Sequence, residues 1–202
     1  MRYEAPYLVD FSARSPSEGV DELFYKRWSP RSFKKTKIPE NTVEAIIDAA
    51  RWTPSCFNDQ PWLIVTSTDD KSFDLFLHLL IEKNQLWAKN AALLGLFFAR
   101  RHYTRNEKPY RLGAFDCGAA WMALTLQANK FGLYTHGMAG INLEETYTAA
   151  NVSRDEYQIM CGFAIGVLDT PEKLPEEFRD KELPSTRRPL SHIWKQMGSH
   201  LD

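Results

Sequence analysis

The order of periodicities along the chain predicts a three-layer domain of mixed α/β or α+β class. Near-continuous apolar runs of strand length alternate with segments of helical periodicity, and the composition shifts only at the two ends. Apolar strands set between helices imply a sheet covered on both faces. A chain of 202 residues buries roughly 70% of its unfolded surface, so its core needs neither disulfides nor a structural metal.

Each element follows from local pattern. Residues 1–23 are a polar lead-in ahead of the apolar Leu23-Phe24-Tyr25. Ile38-Pro39-Glu40 opens a helix whose Val43, Ile46, Ile47 and Ala50 recur at helical spacing, and Pro54 closes it. Trp62 to Thr66 has the run length of a buried strand. Asp69 and Asp70 are placed to cap a helix carrying Phe73, Phe76 and Leu80. Ala92 to Ala99 is a second apolar strand, and residues 112–131 form a long helix with Phe115, Ala119, Met122, Ala123 and Leu126 as its apolar residues. Thr135 to Ala139 and Gln158 to Val167 supply two further strands. Residues 171–189, rich in Pro and charge, are expected to be an extended surface segment. One domain over residues 1–202 is therefore expected, with 171–202 as a C-terminal arm.

Charge and cysteine usage exclude several classes. Lys and Arg total 25 against 26 Asp and Glu, a formal charge of -1, too little to steer the molecule onto nucleic acid or an anionic membrane. The three cysteines, Cys56, Cys117 and Cys161, have no metal-ligand or paired spacing, which fits reduced thiols in a cytoplasm. Cys117 and Cys161 are expected as inert core thiols. Met1 to Pro6 lacks the apolar run of a signal peptide, and the longest apolar stretch, Ala91 to Ala99, is about half the ~18 residues of a spanning helix. His78, His102, His136, His192 and His200 show no ligand spacing, so no metal is expected. Asp116 is expected on the helix surface or at an interface.

Two short segments carry the chemistry. In Lys26-Arg27-Trp28-Ser29-Pro30-Arg31-Ser32-Phe33 an extended backbone puts Arg27, Ser29 and Arg31 on one side. Two guanidinium groups and a hydroxyl can thus converge on one anionic, hydroxyl-rich ligand; a solvated basic loop is the plain alternative. In Thr53-Pro54-Ser55-Cys56-Phe57-Asn58-Asp59-Gln60-Pro61-Trp62 two prolines stiffen a stretch of small polar groups beside an aromatic wall. Alone it reads equally as a helix stop followed by strand entry.

Together these segments resemble the nitroreductase superfamily of FMN-dependent, NAD(P)H-using oxidoreductases. The family pairs an Arg-x-Ser-x-Arg/Lys-x-Phe motif with a later Pro-Ser-Ser-x-Asn-x-Gln-Pro-Trp motif, and Cys56 replaces the usual second Ser. Asn84-Gln85-Leu86-Trp87 is similar to the family's Asn-Gln-x-Trp element. Trp87 stands where some relatives carry a Lys near the flavin N1 and O2, which leaves Arg31 as the candidate cation. Gly132 to Gly140 resembles the segment that offers backbone N–H groups to the flavin ring, and Thr186-Arg187-Arg188-Pro189-Leu190 the basic element that completes the phosphate clamp. The resemblance covers most of residues 24–195.

The resemblance implies an α+β fold of α/β/α layers around a mostly antiparallel sheet, with the extended C-terminal segment wrapping a partner. It implies FMN at the interface of a homodimer, held by Arg27, Trp28, Ser29, Arg31, Pro54, Ser55, Cys56, Asn58, Gln60, Asn84, Met138, Ala139, Gly140, Arg187 and Arg188. Arg27, Ser29, Arg31, Asn84, Arg187 and Arg188 would come mainly from one chain, and Pro54 to Asn58 from the other. The implied activity is hydride transfer from NAD(P)H through flavin N5 to nitroaromatic, quinone or similar acceptors by a ping-pong scheme, with no catalytic side chain. Enone reduction and reductive dehalogenation remain open, with the acceptor pocket set by loops such as residues 100–113, whose cationic and aromatic composition suits either a lid or a solvated loop. A flavin-binding regulatory or storage protein is the alternative outside enzymes.

Overall fold

The computed structural model describes residues 2–197; Met1 and residues 198–202, His200 among them, lie outside the described residues. The lead-in ends in α1 (Glu22–Tyr25), where the Asp21 side chain accepts from the Leu23 N–H. The short strand β1 (Phe33–Lys34) leads to α2 (Glu40–Arg51), which buries Ile46 and Ala50 of the expected stripe. A 3-10 turn (Cys56–Asn58) enters β2 (Trp62–Thr66). Asp69 and Ser72 form a reciprocal capping box at the start of α3 (Asp70–His78).

Helix α4 (Glu82–Ala88) has no counterpart among the expected elements. Seven residues are too few to display a helical period. Then follow β3 (Leu93–Arg100), α5 (Gly113–Lys130), β4 (Leu133–Met138), α6 (Leu143–Ala150), β5 (Tyr157–Leu168) and α7 (Glu176–Arg179). No helix among the described residues is long and apolar enough to cross a membrane.

The sheet has five strands and every pairing is antiparallel. Strand β5 is its hub. β3 pairs along one edge of β5, β1 continues that edge at Val167 and Leu168, and β4 takes the other edge. β2 pairs with β3. Alternation along β3 divides the core: Leu94, Leu96 and Phe98 face Phe76, Leu79 and Trp87, whereas Leu93, Phe97 and Ala99 face Ile46, Ala50, Cys117 and Leu124. The α+β three-layer arrangement is thus present, with α3 and α4 on one face and α2 and α5 on the other.

Two expectations are corrected by packing. The buried stripe of α5 is Gly113, Asp116, Cys117, Ala120, Leu124 and Ala128, not the Phe115, Ala119, Met122, Ala123 and Leu126 series. Phe115 is 75% exposed. The helix is apolar around most of its circumference, so periodicity did not single out one face. Second, residues 171–184 are not simply an extended surface segment. Leu174, Phe178 and Glu182 are buried against the chain's own body, and each buried apolar side chain contributes roughly 1.5–3 kcal/mol. The exposed arm begins after Pro184.

The turn between α5 and β4 also requires glycine. Gly132 has φ +74°, and a side chain there would run into the Tyr3 carbonyl. The Tyr3 N–H donates to Phe131 O at 2.7 Å, fastening the lead-in to this turn.

Candidate functional site

The first motif runs extended into β1 with the expected alternation. Trp28, Pro30 and Ser32 are buried, whereas Arg27, Ser29 and Arg31 share the more open side. Arg27 Nη1 donates to Ser29 Oγ at 3.1 Å. Arg14, from the lead-in, donates through Nη1 to the carbonyls of Tyr25 at 2.6 Å and Arg27 at 2.8 Å, and through Nε to Ser185 O at 3.0 Å. Arg187 donates to the same Ser185 carbonyl at 3.3 Å. None of Arg14, Arg27 and Arg187 has a carboxylate partner among the described residues. Burial, with Arg187 beside it, holds the Arg27 pKa below the ordinary value.

The basic residues expected together are only partly brought together. Arg187 belongs to the cluster, but Arg188 is exposed and no hydrogen bond among the described residues joins it to the others. Arg31 turns instead to Glu182, with Nη1 and Oε2 3.9 Å apart. Glu182 Oε1 accepts from the backbone N–H groups of Arg31 at 2.6 Å and Ser32 at 2.7 Å. Burial pushes the Glu182 carboxyl above its ordinary pKa despite these donors. The carboxylate pins the C-terminal segment onto the motif and offsets part of the Arg31 charge. Neither Arg14 nor Glu182 carries a local sequence signal; only the fold joins them to the motif.

Next to the motif stands His136 of β4, whose Nδ1 lies 2.9 Å from Pro30 O. Burial pushes its pKa down to about 4, the Pro30 contact working in the opposite direction, with Arg31 and Arg27 adding repulsion. The ring is therefore neutral at pH 7, and because a carbonyl only accepts, Nδ1 carries the hydrogen. Trp87 packs against His136 with the rings tilted by 45° and their centroids 4.7 Å apart. The indole Nε1 atoms of Trp87 and Trp28 are buried without a partner among the described residues.

A pH dependence follows. As pH falls from 6.5 to about 4, the unfolded chain takes up a proton that folded His136 refuses, so stability is lost across that window, by about 3 kcal/mol in all. His136→Asn, which keeps a donor for Pro30 O, is expected to lose less stability than wild type between pH 7 and 4.5. Parallel unfolding midpoints for the two proteins over that range would refute the assignment.

Asn84 and Gly140 are in contact. Asn84 Nδ2 donates to Gly140 O at 3.1 Å, and a Cβ on Gly140 would press on Ile81 and Asn84. Met138 is buried, whereas Ala139 is exposed beside it.

The second motif is a tight, strained loop. Phe57, Asn58 and Gln60 all have positive φ, at 57°, 56° and 50°, a conformation that costs non-glycine residues roughly 1 kcal/mol or more each. Ser55 Oγ accepts from Gln60 N–H, and Gln60 Nε2 donates to Asn58 O. Asp116, expected on a surface, is buried at 4% exposure and accepts from Cys56 N–H at 3.0 Å and Tyr110 Oη at 2.7 Å. Tyr110 Oη also lies 3.2 Å from Cys56 O. Tyr103 Oη reaches Cys56 Sγ at 3.6 Å and Asp59 holds Thr104, so the 100–113 loop is bonded onto this motif. Burial pushes the Cys117 and Cys161 thiols up to about 12 and about 11, which leaves both protonated and inert.

The two motifs occupy different layers. The loop at 53–60 continues from α2 and is bonded to α5, whereas Phe33, Trp87 and Met138 belong to the opposite face. No hydrogen bond among the described residues links residues 54–60 to the arginine cluster.

The sequence model of the Nitroreductase family matches residues 25–85 and 68–167. The chain belongs to the nitroreductase family. A solved structure of an oxidoreductase containing FMN is 38% identical to this nitroreductase-family chain, covers 92% of it and 96% of its own length, and superposes with a TM-score of 0.87. A 4-nitrobenzoate reductase from Pseudomonas putida is 34% identical over 92 residues, which are 46% of this chain and 40% of that protein. The match thus spans less than half of that curated relative. An enone reductase of gut-bacterial fatty acid saturation, 19% identical with a TM-score of 0.74, covers 90% of this chain and 99% of its own and shares the nitroreductase fold.

Proposed function

We propose that the chain, one flavin-binding domain over residues 1–202, is an FMN-dependent, NAD(P)H-using oxidoreductase that reduces nitroaromatic, quinone or similar electron-poor acceptors. The observation that carries this reading is the carboxylate-free cluster of Arg14, Arg27 and Arg187. A phosphate monoester bears nearly two negative charges, and planar guanidinium groups hold its oxygens bidentately. The remaining residues fit a flavin too, since the unpartnered indole N–H groups of Trp28 and Trp87 require acceptors. The likeness to an oxidoreductase containing FMN supports the same cofactor.

When bound, FMN supplies hydride transfer at its N5, which no side chain of this chain provides. The chain's part is orientation: Arg14, Arg27 and Arg187 would hold the phosphate end, and Asn84 and the Met138–Gly140 segment the ring. Donor and acceptor would visit in turn, a ping-pong scheme, each with its reacting atoms brought to about 3–3.5 Å.

The working unit is a cytoplasmic homodimer, to which the three free thiols are suited. Three features support the dimer. The two motifs lie in different layers of one chain, the outer stripe of α5 shows Phe115 to solvent, and the arm after Pro184 exposes Leu190, Ile193, Trp194 and Met197. A partner's Pro54–Gln60 loop completes each site. Arg105 sets the acceptor class. Its guanidinium stands 3.6 Å from the Phe57 ring centroid with no acid paired to it among the described residues, a wall suited to anionic aromatics such as the substrate in the name of the 4-nitrobenzoate reductase.

The test is anaerobic mixing of the yellow protein with NADH or NADPH, followed by 4-nitrobenzoate, nitrobenzene, a quinone or an enone. Loss of the flavin colour with nucleotide and faster return with 4-nitrobenzoate than with nitrobenzene are expected, and Arg105→Gln should equalise the two. A protein that holds FMN but is bleached by neither nucleotide is a binding or storage module instead.

A further inference from the structure

We infer that Arg14, in the polar lead-in, is a positioning and charge-bearing residue of the phosphate end of the cofactor site; this rests on the FMN reading above. Its planar fork touches three separate stretches of chain: α1 through Tyr25 O, the first motif through Arg27 O, and the C-terminal arm through Ser185 O. Arg187 converges on the same Ser185 carbonyl and also donates to Ser185 Oγ at 3.0 Å. Two guanidinium groups from opposite ends of the chain therefore meet at one oxygen, and the backbone of Arg27 is held by the first of them.

The arrangement leaves donors to spare. Among the described residues Arg14 bonds only through Nε and Nη1, and Arg27 only through Nη1, so the Nη2 groups of both carry no hydrogen bond. Burial, then Arg187 and Arg27, depress the Arg14 pKa, as expected where like charges gather without a counter-ion. A dianion seated there relieves that repulsion. Lysine would supply the charge without a fork able to reach three carbonyl groups.

The experiment compares FMN with riboflavin, which has the same ring and no phosphate, by flavin fluorescence titration of wild type, Arg14→Lys and Arg14→Gln apoproteins. Arg14→Gln is expected to weaken FMN binding roughly 10- to 100-fold and to change riboflavin binding by about twofold or less. Arg14→Lys should fall between Gln and wild type. A general folding defect weakens both flavins alike, so equal losses would overturn the assignment, as would no loss of FMN affinity. A wild type that binds neither flavin sinks the FMN reading itself, and the role of Arg14 with it.

Discussion

Arg27→Ala is expected to yield a folded, colourless protein. Arg27 is half-buried in the arginine cluster, and among the described residues its guanidinium has only Ser29 Oγ as a hydrogen-bond partner. Two charge-assisted bonds to a phosphate account for roughly 3–5 kcal/mol, so FMN affinity should fall several hundred-fold or more. The fold itself loses little, because the same substitution removes a partly desolvated cation that Arg187 repels. The thermal midpoint of the apoprotein should hold or rise, while the stabilisation that added FMN gives wild type should vanish. Flavin-to-protein ratio after purification and melting curves with and without FMN read both effects. Undiminished flavin content would remove Arg27 from the site.

Asp116→Ala is expected to produce the larger structural loss. The carboxylate holds the Cys56 N–H and the Tyr110 hydroxyl; deleting it strands the Cys56 N–H and leaves the hydroxyl only the longer contact to Cys56 O. At about 1–3 kcal/mol for the unsatisfied group and about 1 kcal/mol for the lost charge-assisted bond, the cost is about 3 kcal/mol, or a drop of roughly 6–12 °C in the midpoint for a chain of this size. The damage should centre on the second motif, since Asp116 opposes the strain of its three left-handed residues. Hydrogen exchange is expected to rise at residues 53–60 and 102–110 before it rises in β3 or β5. Asp116→Asn, which keeps an acceptor oxygen, should recover much of the stability. Uniform exchange across the chain in the Ala variant would show that Asp116 is only a core residue.

Four strands of the sheet were legible, β2, β3 and β5 because they are apolar almost throughout, whereas the two-residue β1 is too short to show a pattern. Asp69 and Asp70 mark the start of α3, and Asp69 is the one that caps it. The face of α5 was not legible, because a helix apolar on two sides gives the same composition whichever side faces the core. In the site, the alternation of Arg27, Ser29 and Arg31 reads directly from an extended backbone. Arg14, Asp116 and Glu182 do not, since each acts on backbone groups distant in sequence and a lone charged residue in a polar context has no pattern. Arg31 shows the limit in the other direction: its position follows from the motif, but its pairing with Glu182 depends on a chain segment more than a hundred positions downstream.

The pairing scheme of β5 puts the molecule on a clock. Phe33 finds its partner only at Leu168, and β3 and β4 pair with the same late strand. At about 5–20 residues per second on the ribosome, the β1 segment waits on the order of ten seconds before its partner strand is made. Until then β2 and β3 form at most a lone antiparallel pair, and the β3 edge that β5 takes has no partner strand. The arginine cluster matures later still, since Ser185 and Arg187 lie beyond β5. On the proposed reading, cofactor capture therefore comes after β5 is made, and the nascent chain must be kept from aggregating without that help.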